Sequence, residues 1–203
     1  MIDQNVPQLR PMLSLFVLLT ILLGGVYPAL ITGIGQLSMP NQANGQLITD
    51  ATGLRGSALI GQQFTDPAYL WSRPSASQYD AMASGGSNLG LLNPAWIKQQ
   101  QERLATLKHA NPQQTQPIPP ELLQASASGL DPDVSVAAAR WQAPRLAAAR
   151  GVPVAVIENM IDQHTQHTTL MGQSRIHVLA FNLALDQQYP RHSSPAAAHH
   201  AAP

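Results

Sequence analysis

Met12-Leu13-Ser14-Leu15-Phe16-Val17-Leu18-Leu19-Thr20-Ile21-Leu22-Leu23 opens an apolar run that continues through Gly24-Gly25-Val26-Tyr27-Pro28 to Leu30, Ile31, Ile34 and Leu37. No side chain between residues 11 and 49 is charged. At about 1.5 Å of rise per residue, a helix over residues 12–37 reaches roughly 39 Å, against roughly 30 Å of bilayer hydrocarbon. Tilt, or a kink at Pro28, absorbs the excess. A cleaved signal peptide would have a shorter apolar region ending at a small-x-small site. Tyr27-Pro28-Ala29 is a poor site of that kind, and the apolar run continues past it. We therefore read residues 12–37 as an uncleaved transmembrane helix that follows a short N-terminal segment, 1–11.

Nothing else in the chain is long and apolar enough to span. Arg10 stands directly before the helix, and the next positive charge is Arg55. The positive-inside bias counts residues within about 15–20 of the helix ends. It predicts a cytoplasmic N-terminus, a single pass and a domain on the outer side of the membrane.

Residues 38–188 are long enough for one soluble domain with its own core. The whole chain balances 11 basic against 11 acidic residues, at only 11% charged. A nucleic-acid binder would present a basic stripe, and none is visible. Lysine is nearly absent, with only Lys98 and Lys108. The chain has no cysteine, which fits an oxidising exterior and a reducing cytosol equally well.

Local patterns predict a mixed α+β domain. Gln46-Leu47-Ile48 and residues 54–64 read as strands around the turn Asp50-Ala51-Thr52-Gly53. Residues 70–93, dense in Ser, Gly, Asn and Pro, read as a long structured loop. Asn93 reads as an N-cap with Pro94 at the first helical position. That helix runs to Ala110 with Ile97, Leu104 and Leu107 inward, and residues 113–120 form a connector. Ser135 caps a second helix to Arg150, with Ala138, Trp141, Leu146 and Ala149 near one face and Gly151 as its left-handed terminator. A third helix over 153–163 aligns Val154, Ile157 and Ile161. Ile176-His177-Val178-Leu179-Ala180-Phe181 reads as a strand, and residues 189–203 as a disordered tail.

Chemical motifs are mostly absent. Neither lysine follows a glycine, so there is no phosphate loop, and no aspartate is followed by lysine, as a P-type phosphorylation site requires. The potassium-filter sequence Thr-Val-Gly-Tyr-Gly is missing. Gly85-Gly86-Ser87-Asn88-Leu89 fails the nucleophile elbow Gly-x-Ser-x-Gly at its last position. His164 and His167 stand three apart without a cysteine partner, and we read them as surface histidines. No catalytic residue and no metal site is predicted.

One segment asks for a special explanation. In Ala83-Ser84-Gly85-Gly86-Ser87-Asn88-Leu89-Gly90, consecutive glycines could point backbone N–H groups into an anion-binding concavity. Ser84, Ser87 and Asn88 would add donors, and Arg73 a charge. The alternative is a tight loop that packs closely on its neighbours. On chemistry alone the packing reading is preferred.

The chain resembles a known family in ordered segments: Gly24-Gly25-Val26-Tyr27-Pro28, Gln42-Ala43-Asn44-Gly45, Arg55-Gly56-Ser57-Ala58-Leu59-Ile60-Gly61-Gln62 and Arg73-Pro74-Ser75-Ala76. Ser84-Gly85-Gly86-Ser87-Asn88-Leu89, Ser126-Ala127-Ser128-Gly129-Leu130-Asp131, Ala147-Ala148-Ala149-Arg150-Gly151 and Asn182-Leu183-Ala184-Leu185-Asp186 follow in order. Over residues 10–187 it looks like KdpC, a small subunit of the bacterial Kdp potassium-transporting ATPase.

The resemblance implies an accessory, non-catalytic subunit of the inner membrane. Its partners would be a channel-like potassium-translocating subunit and a P-type ATPase subunit, besides membrane lipid and without nucleic acid. It also implies a catalytic chaperone that binds ATP and raises the ATPase subunit's affinity for it, with no cofactor intrinsic to the chain. ATP is cytoplasmic, whereas Arg10 argues for a domain outside. The candidate nucleotide or partner loop is then Arg73, Ser84, Gly85, Gly86, Ser87 and Asn88. Gly24, Gly25, Pro28 and Gly33 are the candidates for transmembrane packing. The competing classes are an anchored exported hydrolase, using Ser84 or Ser87 with His109 or His177 as base, and an anchored ligand-binding module.

Overall fold

Helix formation in the apolar run has to accommodate Pro28, which has no N–H for the carbonyl of Gly24 and whose ring crowds it. The computed structural model, which describes residues 9–50, 53–167 and 172–191, shows how this is done. Helix α1 (Leu9–Ile21) widens into one π-helical turn (Leu22–Val26) and resumes as α2 (Tyr27–Ser38). The Tyr27 N–H reaches back five residues to the Leu22 carbonyl. The wider turn releases the ladder just where proline interrupts it, so the helix continues without a break. The result is a 30-residue helix, Leu9–Ser38, long and apolar enough to cross a membrane. None of its side chains is buried within the chain.

The chain divides into two compact units, Met1–Arg55 and Gly56–Pro203. After α2, the first contains the short helix α3 (Pro40–Ala43) and strand β1 (Leu47–Asp50). Strand β1 pairs with β2 (Gly53–Ser57) in a two-stranded sheet, and Arg55 bridges to Asp50 at 2.7 Å. Ala51 and Thr52 of the predicted turn lie outside the described residues.

The second unit is helical with a small sheet. Helix α4 (Pro94–Ala110) starts as predicted, with the Asn93 side chain accepting from the Ala95 N–H at 2.9 Å. Leu107 is its buried residue, whereas Ile97 is exposed. A 3₁₀ turn (Pro120–Leu122) leads to β3 (Asp133–Ser135), which runs straight into α5 (Val136–Arg150). Ser135 caps α5, and Gly151 ends it at φ +66°, ψ +30°, the left-handed terminator the sequence called for. Ala138, Trp141 and Leu146 are buried as expected, and Ala149 is exposed. Helix α6 (Val154–Gln163) buries Ile157, Met160 and Ile161 against α5.

Two expectations need correction. Residues 58–64 do not continue β2. There the chain turns inward, the Gly61 N–H donates to the Leu130 carbonyl at 2.8 Å, and the backbone passes so near Asp131 that a side chain at Gly61 would meet its carbonyl. The predicted strand over 176–181 is only β4 (Arg175–His177) followed by helix α7 (Val178–Gln188). His177 is the switch, because its Nδ1 accepts from the Ala180 N–H at 3.1 Å and caps α7. Strands β3 and β4 pair antiparallel with Val134 opposite Ile176, both buried. Each strand therefore ends on the residue that caps the helix it feeds.

The core centres on α5, α6, α7 and the sheet, with Leu70, Leu107 and Leu122 packed against them. Leu70 sits in an irregular segment, residues 67–71, whose polar backbone would be costly to bury unpaired. Side chains from the helices satisfy every carbonyl in it. Arg145 donates to Pro67 and, at 3.0 Å, to Tyr69, and Arg150 donates to Ala68 at 3.0 Å. Asn182 meets both polar groups of Leu70, and Gln142 both of Trp71. Two helix amides thus stand in for the neighbouring strands this segment lacks.

Candidate functional site

The glycine-serine loop and the Ser126-Ala127-Ser128-Gly129 segment lie against each other. The Ser126 N–H donates to the Pro74 carbonyl at 2.9 Å and the Gly85 N–H to Ser128 at 2.8 Å. Ser84 Oγ donates to the same Ser128 carbonyl at 3.0 Å. A Cβ at Gly86 would lie 3.1 Å from the Ala127 oxygen. One at Gly129, where φ is +69°, would press on the Ser77 hydroxyl and lie 2.8 Å from the Gly85 carbonyl. Those contacts need residues without side chains. Gly85 itself has open space around its would-be Cβ, and Asn88, at φ +52°, is the loop's left-handed residue.

The candidate residues therefore divide. Ser84, Gly85 and Gly86 face the 126–129 segment. The side chains of Ser87 and Asn88 form no hydrogen bond among the described residues, Ser87 half-buried and Asn88 exposed. Arg73 is paired with Asp131 at 2.9 Å, and its Nε is buried without a partner. Neither candidate histidine engages a loop serine. His177 Nε2 donates to the Ala58 carbonyl at 2.8 Å while Nδ1 caps α7, so both ring nitrogens are committed. His109 lies exposed in the last turn of α4. Among the described residues no group of three or more His, Cys, Asp or Glu could hold a metal. In the apolar helix, Gly24, Gly25 and Gly33 have nothing within 4 Å of where a Cβ would stand, and Pro28 sits in the first turn of α2.

The second unit also holds a concavity that no sequence pattern marks. It is a cleft of about 710 Å³ between α4 and the 63–79 segment. Phe64, Trp71 and Tyr79 supply aromatic surface, and Arg103 and Glu102 supply charge. The Tyr79 hydroxyl donates to the Arg73 carbonyl at 2.5 Å, and burial pushes its pKa up to about 12. Burial lowers the pKa of the Arg103 guanidinium, which donates to the Leu123 carbonyl at 2.8 Å. Trp71 is held from the far side by Arg145, whose guanidinium lies 4.4 Å from the ring centroid. The sequence signal for these residues was weak, since isolated aromatics in a polar loop have no period.

A second cluster ties the C-terminal end into the unit. Arg150 pairs with Asp186 at 2.8 Å, Tyr69 donates to Asp186 at 2.7 Å, and Arg191 pairs with Asp66 at 3.0 Å. Of the residues just after α7, predicted as the start of the tail, Arg191 makes the last of these contacts and the Tyr189 carbonyl accepts from Arg150 at 2.9 Å. The tail from residue 192 lies outside the described residues, as does the N-terminal segment up to residue 8.

Comparison with known proteins places these features. The family model for KdpC, the c chain of K+-transporting ATPases, matches residues 9–187. A protein of Serratia proteamaculans is 51% identical over 183 residues, 88% of this chain and 97% of its own. One of Herpetosiphon aurantiacus is 50% identical over 183 residues, 88% of this chain and 95% of its own. One of Geobacter sulfurreducens is 48% identical over 189 residues, 90% of this chain and 99% of its own. All three are named potassium-transporting ATPase KdpC subunit. The match includes the apolar helix, the paired glycine loops and most of α7, and the chain belongs to the KdpC family of K+-transporting ATPase c chains.

Proposed function

We propose that this chain is the accessory subunit of an ATP-driven potassium-uptake complex, anchored by its single apolar helix and assembled with a channel-like subunit and a P-type ATPase subunit. The collinear family match over residues 9–187 carries this reading. The chain's chemistry agrees with it, because the phosphorylated aspartate and the ion filter would belong to the partners. The test is copurification in detergent. A tagged chain should bring down one ATPase chain and one channel-like chain, and isolation alone would refute the reading.

In this reading the helix is a contact surface as well as an anchor, and the second unit faces the outer side of the membrane. Arg10 supports that orientation. A cysteine introduced at Ser193 should react with an impermeant thiol reagent added to spheroplasts, and one at Gln4 should not. The reverse pattern would put the domain in the cytoplasm.

The family's ATP role requires that second arrangement, or an indirect effect through the partner. The commitment of Arg73 to Asp131 and of Ser84 and Gly85 to Ser128 favours loop packing over a nucleotide cradle. ATP affinity of the assembled complex, with and without this chain, tests the chaperone role. An unchanged affinity would remove it.

A further inference from the structure

We infer that the cleft between α4 and residues 63–79 is the seat of an extended, acidic segment of a partner protein chain. The inference rests on the assembly reading above. Three observations converge on it.

The first is backbone. The N–H and C=O groups of Gln63, Phe64 and Thr65 make no hydrogen bond among the described residues, yet the three line the cleft. Their exposure alternates, with Gln63 and Thr65 exposed and Phe64 half-buried against the core. An irregular edge of this kind can pair with an added strand, whose main chain supplies the missing partners. The contrast with residues 67–71 is direct, since there every carbonyl is met by a helix side chain.

The second is charge. Arg103 faces the cleft half-buried and forms no ion pair among the described residues. Its bonds go to the Leu123 carbonyl and to Gln99 Oε1 at 3.4 Å. The neighbouring Glu102 is paired with Lys98 at 3.8 Å, so its charge is partly directed away. A carboxylate on the incoming segment would complete Arg103, and a charge-assisted pair in a half-buried site is stronger than one in open water. Phe64, Trp71 and Tyr79 offer apolar walls for the flanking residues.

The third is backbone strain. Gln78 and Tyr79 are successive non-glycine residues at φ +56° and +60°, and both line the cleft. The Ser75 hydroxyl accepts from the Tyr79 N–H at 2.9 Å and the Tyr79 hydroxyl is anchored on Arg73, which together hold this conformation. Strain of this kind concentrates where a ligand is gripped.

The test is photocrosslinking in membranes containing the assembled complex. Benzoylphenylalanine replaces exposed cleft residues Gln78 or Thr65, with exposed Glu158 on α6 as the control position. Adducts from both cleft positions should map to one stretch of a second, co-isolated chain that contains Asp or Glu. Arg103→Gln should cut their yield at least fivefold. Thr106→Trp, which fills the cleft from an exposed helix position, should do the same, so the result does not depend on the folding of one variant. Adducts to lipid, to another copy of this chain, or in equal yield from Glu158 would overturn the inference, as would yields unchanged by both variants. If the complex co-isolates and the cleft positions stay unlinked, this inference fails alone. If no second chain co-isolates, it fails together with the assembly reading.

Discussion

The Asn182 side chain meets both polar backbone groups of Leu70, accepting from its N–H at 2.8 Å and donating to its carbonyl at 3.0 Å. The two residues are 112 positions apart in sequence. Both are essentially inaccessible to water.

Asn182→Leu should therefore destabilise the chain strongly although leucine suits a core. Two buried backbone groups would lose their partners, at about 1–3 kcal/mol each, so we expect a loss of about 3 kcal/mol. Urea unfolding of the full chain in detergent, followed by tryptophan fluorescence, gives the number. A loss below about 1 kcal/mol would mean that Leu70 finds other partners.

The glycines of the paired loops should not respond alike. Gly129→Ala forces a side chain into a left-handed residue that presses on Ser77 and Gly85, and should cost about 2 kcal/mol or more. Gly85→Ala meets open space and should change stability by less than about 0.5 kcal/mol. Equal losses in the same unfolding assay would contradict the loop geometry.

Tyr79 should leave a signature at alkaline pH. Its phenol ionises near 10 in the unfolded chain and at about 12 in the folded one, because burial disfavours the phenolate. The folded state then holds a proton that the unfolded state has released, so this contribution is intact below pH 10 and declines as pH rises to about 12. Wild type should lose about 2 kcal/mol relative to Tyr79→Phe across that window. Taking the difference between the two proteins cancels other groups, including Arg145, whose pKa burial lowers to about 10. A difference independent of pH would show that Tyr79 is not shielded as described.

Gly25→Leu tests the helix as a contact surface. Gly25 lies in the π-helical turn and, apart from the adjoining turns of its own helix, nothing among the described residues comes within 4 Å of its would-be Cβ. A leucine there should leave membrane insertion unchanged and lower the yield of the copurified complex several-fold, because close helix approach needs small residues. An unchanged yield would make the helix a tether only.

Much of this architecture is local and was legible. The apolar run, the Asn93 and Ser135 caps and the Gly151 terminator each follow from a few neighbouring residues. The start of helix α7 reads as a strand because Ile176-His177-Val178 begins like one, although Val178, Phe181, Asn182 and Leu185 keep helical spacing. Gln142, Arg145, Arg150 and Asn182 give no sequence signal of their role, because polar residues on an apolar helix face look like interruptions. Their partner is the backbone of residues 67–71, and a main chain without secondary structure leaves no pattern to read. The cleft was hidden for the same reason, since α4 and the 63–79 segment meet only in three dimensions.

The dependence of residues 67–71 on Arg150 and Asn182 bears on how the chain comes to exist at all. During synthesis the segment emerges more than a hundred residues before Asn182, and until then both polar backbone groups of Leu70 lack their partner. The second unit should remain unfinished until nearly the whole chain has left the ribosome. A version cut short before α7 should be a substrate for proteases rather than a smaller subunit, which gives the cell a simple check that only complete chains persist.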